Sequence, residues 1–217
     1  MHGMAKRVRP GADARQADIV AAACRVIARK GIDATRIADI AREARTSTGT
    51  VHYHFETKED VLVAALEWAN ERPYGPLENS LENAPSASAR LGALLDAAVP
   101  YPGERHDDFL LWVETAIAAT RLPTGRLGPR SESVGRRWKS YFADVLGEGV
   151  ENGAFHPVAP VEEVVERLIA LADGLAFKCT VGQPWMPPER ARELLRRFAS
   201  EQLGVSYDEL AERGVRA

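Results

Sequence analysis

Residues 46–55 read Thr-Ser-Thr-Gly-Thr-Val-His-Tyr-His-Phe, and the fold turns on this stretch. Ser47 is a good helix N-cap, because its hydroxyl can accept from a backbone N–H of the first turn. The short helix it opens exposes hydroxyls and imidazoles, ends on aromatic residues, and is followed by Thr57-Lys58-Glu59, which opens another helix. Just upstream, Ile37-Ala38-Asp39-Ile40-Ala41-Arg42 makes a short helix with an apolar face, for which Thr35 is the expected cap. Two short helices joined by about four turn residues form a helix-turn-helix, a unit that lays its second helix in a DNA major groove. Val51 and Phe55, with Ile37, Ile40 and Ala41, are expected to form the miniature core that holds the two helices crossed.

Outward from this unit the pattern is helical, with almost no strand alternation. Ile19, Ala23, Val26 and Ile27 recur at i, i+4, i+7 and i+8, which predicts a first helix from about Asp13 to Lys30, stopped by Gly31. A fourth helix starts near Thr57, carries Leu62, Ala65, Leu66 and Ala69 on one side, and stops at Pro73. Residues 73–86 read as a loop or a fraying helix, and Ser86 opens a helix that ends before Pro100. Phe109 to Ala119 is apolar almost all round, the pattern of a central buried helix. Residues 122–130 hold two prolines and two glycines and read as a loop, and a helix resumes from Ser131 to Asn152, closed by Gly153. Val161, Val164, Val165, Leu168, Ala172, Leu175 and Ala176 form a 3-4 stripe, and Ala191, Leu194, Leu195, Phe198 and Gln202 a shorter one after Pro187-Pro188. The expected fold is all-α with nine helices: a head over residues 13–60, a helical body over 61–205, and flexible tails at 1–12 and 206–217.

The charge is divided in the same way. The net charge of −3 does not advertise a polyanion partner, but residues 1–55 carry ten Lys/Arg against five Asp/Glu, and the remainder 18 against 26. A head at +5 on a body at −8 is an electrostatic footprint for a polyanion at one end only. Two cysteines, Cys24 and Cys179, make no disulfide framework, and Cys24 among Ala22, Ala23 and Val26 reads as a small core residue. No apolar run approaches the roughly 18 residues of a membrane span, and the N-terminus lacks the apolar core of a signal peptide. A cytoplasmic, reduced protein with no membrane partner is expected.

The stretch from Thr35-Arg36-Ile37-Ala38-Asp39-Ile40-Ala41 through Thr46-Ser47-Thr48-Gly49-Thr50-Val51-His52-Tyr53-His54-Phe55-Glu56-Thr57-Lys58-Glu59 resembles the TetR family of repressors. Asp173-Gly174-Leu175 and Glu151-Asn152-Gly153-Ala154-Phe155 resemble the body of many members. The resemblance implies a DNA-binding head, a variable helical ligand-binding and dimerisation domain, and Lys58 as a phosphate anchor. The residues agree with it. Thr48 and Gly49 let the backbone approach base edges, Thr50 and His52 can donate to phosphates, and Thr35 and Arg36 offer a hydroxyl, a guanidinium and free N–H groups. Ser47 and Tyr53 complete the candidate DNA surface, Tyr53 being equally readable as core or as a phosphate donor, and His54 reads as a packed or capping residue. Three positions depart from the family pattern: Arg45 stands where a turn glycine is usual and adds a cation near DNA, Thr46 replaces an apolar turn residue, and His52 replaces a frequent tyrosine, making a phosphate contact there sensitive to pH.

His52 and His54, at i and i+2, point to opposite sides of a helix and do not suit a metal. A helix-turn-helix reads a two-fold operator best as a dimer with half-sites roughly 34–36 Å apart. The last two helices offer apolar stripes for that homodimer, with Gly174 allowing close approach; the same stripes can equally face their own core. For a small-molecule effector, Trp68, Phe109, Trp112, Tyr141 and Phe177 supply aromatic walls, while Glu114 and Asp173 are acids in apolar surroundings. Together they would suit a cationic or amphipathic ligand, although core packing accounts for the same aromatics. No nucleophile–base pair, phosphate-cradling glycine loop, metal spacing or cofactor motif stands out, which disfavours an enzyme. The expected function is a ligand-responsive DNA-binding regulator, a repressor on a palindromic operator; an activator or a protein-interaction module using the same head is the alternative.

Overall fold

A computed structural model describes residues 10–72, 74–99, 104–121 and 127–211. Among these the chain forms eleven helices and no strand: α1 (Pro10–Ala34), α2 (Ile37–Glu43), α3 (Thr48–His54), α4 (Lys58–Glu71), α5 (Tyr74–Asn83), α6 (Ala87–Ala97), α7 (Glu104–Arg121), α8 (Leu127–Glu151), α9 (Val161–Thr180), α10 (Pro188–Leu203) and α11 (Tyr207–Ala211). Their boundaries follow local chemistry. Gly31 breaks α1 at φ 76°, ψ 164°, so the last residues of that segment are a separate turn. Ser47 caps α3 by accepting from the Thr50 N–H, and Ser86 caps α6 by accepting from the Ala89 N–H. Thr57 and Asp60 form a reciprocal capping box at the start of α4, satisfying two backbone donors that the helix itself cannot. Pro188 occupies the first turn of α10, where its missing N–H costs nothing, and Gly204 ends that helix in the left-handed conformation.

Two apolar cores result. The head core joins Ile19, Ala23 and Ile27 of α1, Ile40 of α2, Val51 of α3 and Leu66 of α4, with Phe55 at the end of α3. It does not stop at residue 60, because α4 contributes as far as Ala69 and Leu111 of α7 is buried in it as well. Cys24 lies in this core, its thiol donating to the Ala65 carbonyl at 3.2 Å, and burial pushes the thiol up to about 12, so it is chemically inert. The body core joins α5, α6, α8, α9 and α10 around Leu94, Phe142, Leu146, Leu168 and Leu195. No described helix is long and apolar enough to cross a membrane.

Several elements differ from the sequence reading. The N-cap of α2 is Arg36, not Thr35; Thr35 is fully buried, and its hydroxyl donates to the Gly31 carbonyl at 2.7 Å. Residues 74–83, read as part of a loop or a fraying helix, form a helix, because Tyr74 and Leu77 bury one face and Pro76 sits early enough to be tolerated. α7 is not buried all round: Leu111 faces the head, while Ile117 is exposed. α8 begins at Leu127, earlier than expected, and residues 122–126 of the expected loop lie outside the described residues. The expected C-terminal tail contains α11, pinned by Leu210, whose carbonyl lies so close to Gly92 that a Cβ there would meet it at 2.7 Å. Residues 1–9 and 212–217 of the expected tails lie outside the described residues.

Gly149 and Phe155 form the tightest of these contacts. The Phe155 ring is buried directly over Gly149, and a Cβ at that glycine would meet ring carbons at 2.0 and 2.3 Å. Gly149→Ala must therefore displace either the ring or the backbone of α8, and the expected loss is about 1–3 kcal/mol of stability by urea unfolding.

Candidate nucleic-acid interface

The recognition helix α3 has only two turns, and its orientation is set by what it buries. Val51 is inaccessible and Phe55 nearly so, which fixes the inward face against α1, α2 and α4. The opposite face carries Thr48, Gly49, His52 and Tyr53, all exposed, with Tyr53 at 77%. Gly49 has only the Ser47 hydroxyl within 4 Å of a notional Cβ, so nothing bulky screens the backbone there. Tyr53 is thus not core; its ring meets His54 edge-on at 5.2 Å, and His54 is half-buried. The Thr50 hydroxyl is shared with Ser47 at 2.9 Å, tying the cap to the first turn.

The cations of the head divide into two sets. Arg25 and Arg29 of α1 both bind Glu43 of α2, Arg25 at 2.8 Å, and these arginines hold the Glu43 carboxyl below its ordinary range. Lys30 binds Asp39 at 3.0 Å, with Arg42 at 3.4 Å on the same carboxylate. These pairs clamp α2 onto α1. Among the described residues of the head, Arg36 and Arg45 are the exposed arginines left without a carboxylate, and they stand just before and just after α2. Lys58, the phosphate anchor implied by the resemblance, is half-buried and donates to the Ile32 carbonyl at 3.4 Å. Of the ten expected DNA residues, Thr35 alone is wholly enclosed.

The family model for bacterial regulatory proteins, tetR family, matches residues 19–66, and that for the C-terminal part of BetI-type transcriptional repressors matches residues 87–204, over half of the chain. The chain belongs to the TetR family of transcriptional regulators. Among its relatives, the transcriptional repressor KstR2 of Mycolicibacterium smegmatis is 26% identical over 201 residues, 93% of this chain and 90% of that protein. A regulator from Saccharomonospora viridis, solved in complex with choline, superposes with TM-score 0.82 at 29% identity, covering 88% of this chain and 98% of that one. A TetR regulator from Haloarcula marismortui does so with TM-score 0.76 at 25% identity, covering 88% and 99%.

In this TetR-family chain the turn between α2 and α3 is a Schellman motif completed without glycine. Arg45 is the one non-glycine residue with positive φ, 51°, among the described residues, and the Thr46 N–H reaches back to the Ala41 carbonyl at 2.9 Å. The backbone strain of an L-residue there is about 1 kcal/mol, so Arg45→Gly should stabilise the head by about that amount. The same substitution removes an unpaired cation, and should flatten the dependence of log K on log salt by about one unit. Stability and operator affinity moving in opposite directions is the expected signature, read by thermal unfolding and by fluorescence anisotropy.

The expected effector residues lie on α4, α7, α8 and α9. Trp68 packs against the head core under the Arg72 guanidinium at 4.9 Å, and Phe109 meets Trp112 edge-on along α7. Tyr141 lies in a polar cluster, donating to Glu78, while Arg137 stacks on Tyr74 at 3.9 Å and binds Glu71 and Glu78. Glu114 faces the head: its Oε2 accepts from the Ile32 N–H at 3.1 Å. Phe177 is 42% exposed on the outer face of α9. Sequence reasoning missed the Arg137 cluster, whose carboxylates come from α4 and α5, and also the outward stripe of α9 formed by Ala170, Gly174, Phe177 and Val181. The stripe of α9 singled out from the sequence faces the chain's own core, one of the two roles open to it.

Asp173 sits between these two faces of α9, half-buried and without a hydrogen-bond or ion-pair partner among the described residues. Burial alone raises its pKa from 3.8 to about 6. Ionising it therefore costs the fold stability, a cost that accrues as pH rises from about 3.8 to about 6 and is complete above that. Asp173→Asn should be more stable than the parent at pH 7, with the difference vanishing below pH 4, as followed by melting curves across that range.

Proposed function

We propose that this TetR-family regulator is a repressor that binds a palindromic operator as a homodimer and is released by a small organic cation. The observation that carries the DNA-reading part is the exposed face of Thr48, Gly49, His52 and Tyr53, flanked by the unpaired Arg36 and Arg45. Side chains of that length can reach base edges and phosphates, while the two guanidiniums meet the backbone on either side. Within this reading Thr35 acts from inside, by fixing the turn before α2, and Lys58 reaches a phosphate only by leaving the Ile32 carbonyl.

The homodimer is supported by the outer face of α9. Phe177 and Val181 are 42% and 47% exposed in the single chain, and the space before Gly174 is open, so a second α9 can approach closely. On α10, Leu194 and Phe198 are only partly covered by the body core and extend the same apolar surface. The cationic effector is supported by the partnerless Asp173 carboxylate and by the choline held by the Saccharomonospora viridis relative. A cation that pairs with a half-buried carboxylate stabilises whichever body geometry encloses it. If that geometry moves α4, the two heads no longer match successive major grooves.

The test is a titration of the full-length protein with the DNA upstream of its own coding region. Tight, salt-sensitive binding is expected, weakened severalfold by Arg36→Ala and by His52→Ala with unchanged melting temperature. No binding at low salt would sink the regulator reading. Millimolar choline or tetramethylammonium should release the DNA from the parent and not from Asp173→Asn; equal release of both would remove Asp173 from the site.

A further inference from the structure

The turn that ends α1 is held from three directions at once. Gly31 leaves the helix at φ 76°, and the buried Ile32 follows it. The Ile32 N–H donates to Glu114 Oε2 at 3.1 Å, and the Ile32 carbonyl accepts from Lys58 Nζ at 3.4 Å. One residue earlier, the Gly31 carbonyl accepts from the buried Thr35 hydroxyl at 2.7 Å. Glu114 belongs to α7 in the body, Lys58 opens α4, and Thr35 immediately precedes α2 and its cap Arg36.

Glu114 does not act alone on its helix. Asp108, Leu111 and Glu114 are three residues apart, so they share one stripe of α7. Asp108 binds Arg72 at the end of α4 at 2.6 Å, and Leu111 is buried in the head core. One face of α7 thus grips the end of α4 and the break in α1. Within that grip Glu114 makes the contact nearest to the reading unit. A hydrogen bond is directional, so this contact can fix an orientation that apolar packing leaves free to slide. Gly31 suits the arrangement from its own side: a Cβ there would lie 3.4 Å from Glu114 Oε1, at a φ that L-residues avoid.

We propose that Glu114 is a positioning residue for operator binding: through the Gly31–Ile32 peptides it sets the angle at which α2 and α3 leave α1. It touches no DNA, and its place is not among the effector contacts expected from its apolar sequence neighbours. The consequence for operator affinity rests on the regulator reading above; the consequence for the order of the head does not.

Hydrogen exchange and operator titration of full-length Glu114→Ala, Glu114→Gln and Gly31→Ala separate the two. Glu114→Ala should speed amide exchange across residues 32–55 about tenfold while leaving α9 and α10 unchanged. It should also lower operator affinity by about fivefold or more. Glu114→Gln, whose amide oxygen still accepts from Ile32, should restore most of both, and Gly31→Ala should reproduce the alanine effect from the other side of the contact. Faster exchange confined to Ile32 itself, or a uniform rise over all helices, would overturn the proposal. So would Glu114→Gln being as impaired as Glu114→Ala. Should the unaltered protein fail to bind its upstream DNA, the proposed function fails while the exchange pattern still decides the role of Glu114.

Discussion

A recognition helix of seven residues cannot hold its own shape. Isolated helices shorter than about 12–15 residues are marginal in water, and α3 is only Thr48–His54. Everything that makes it a rigid probe is supplied from outside: the Ser47 cap at one end, and the burial of Val51 and Phe55 at the other. That burial needs a wall, which α1 and α4 provide through Ile19, Ile27, Val61 and Leu66. The exposed face of α3 is therefore a consequence of the buried one, since on two turns of helix the positions left over are few.

The same constraint explains how the head spends its charge. Most of the described basic residues of α1 do not face outward freely; they clamp Glu43 and Asp39 and so press α2 into place. These exposed pairs are individually weak. Their value lies in number and in sharing, since each carboxylate takes two cations. Among the described arginines of the head, those left for a polyanion are Arg36 and Arg45, one at each end of α2. The net charge of +5 in the head says nothing of direction, and the placement of these two guanidiniums supplies one.

Legibility from sequence tracks how local the physics is. Ser47, Ser86 and Thr57 are legible as helix starts because a cap bonds within three residues, and Arg45 stands out because the family resemblance puts a turn glycine where this chain has an arginine at positive φ. Thr35 was misread because a capping hydroxyl and a buried one look alike until the carbonyl four residues back is in place. α5 was obscured by Pro76, which a first turn accepts and a helix interior does not. Glu114 was illegible in a stronger sense. Its partner is a backbone N–H 82 residues away, and a backbone donor leaves no mark in the sequence.

α9 carries the most general form of this difficulty. Its hydropathic stripe from Val164 to Ala176 is regular, and regularity of that kind reports burial within the fold. A surface kept for a second chain must stay soluble until it is met, so it is built of small residues and single aromatics. Ala170, Gly174, Phe177 and Val181 meet that description, and they add little to any hydropathy count. One helix therefore holds two apolar faces written in different alphabets, the loud one for its own core and the quiet one facing out. Asp173 lies where the two meet, and a carboxylate there, its pKa raised to about 6 by burial alone, is unfavourable for either face by itself. Its presence at that boundary makes physical sense if something beyond the single chain compensates its charge, and a cation is the simplest such thing.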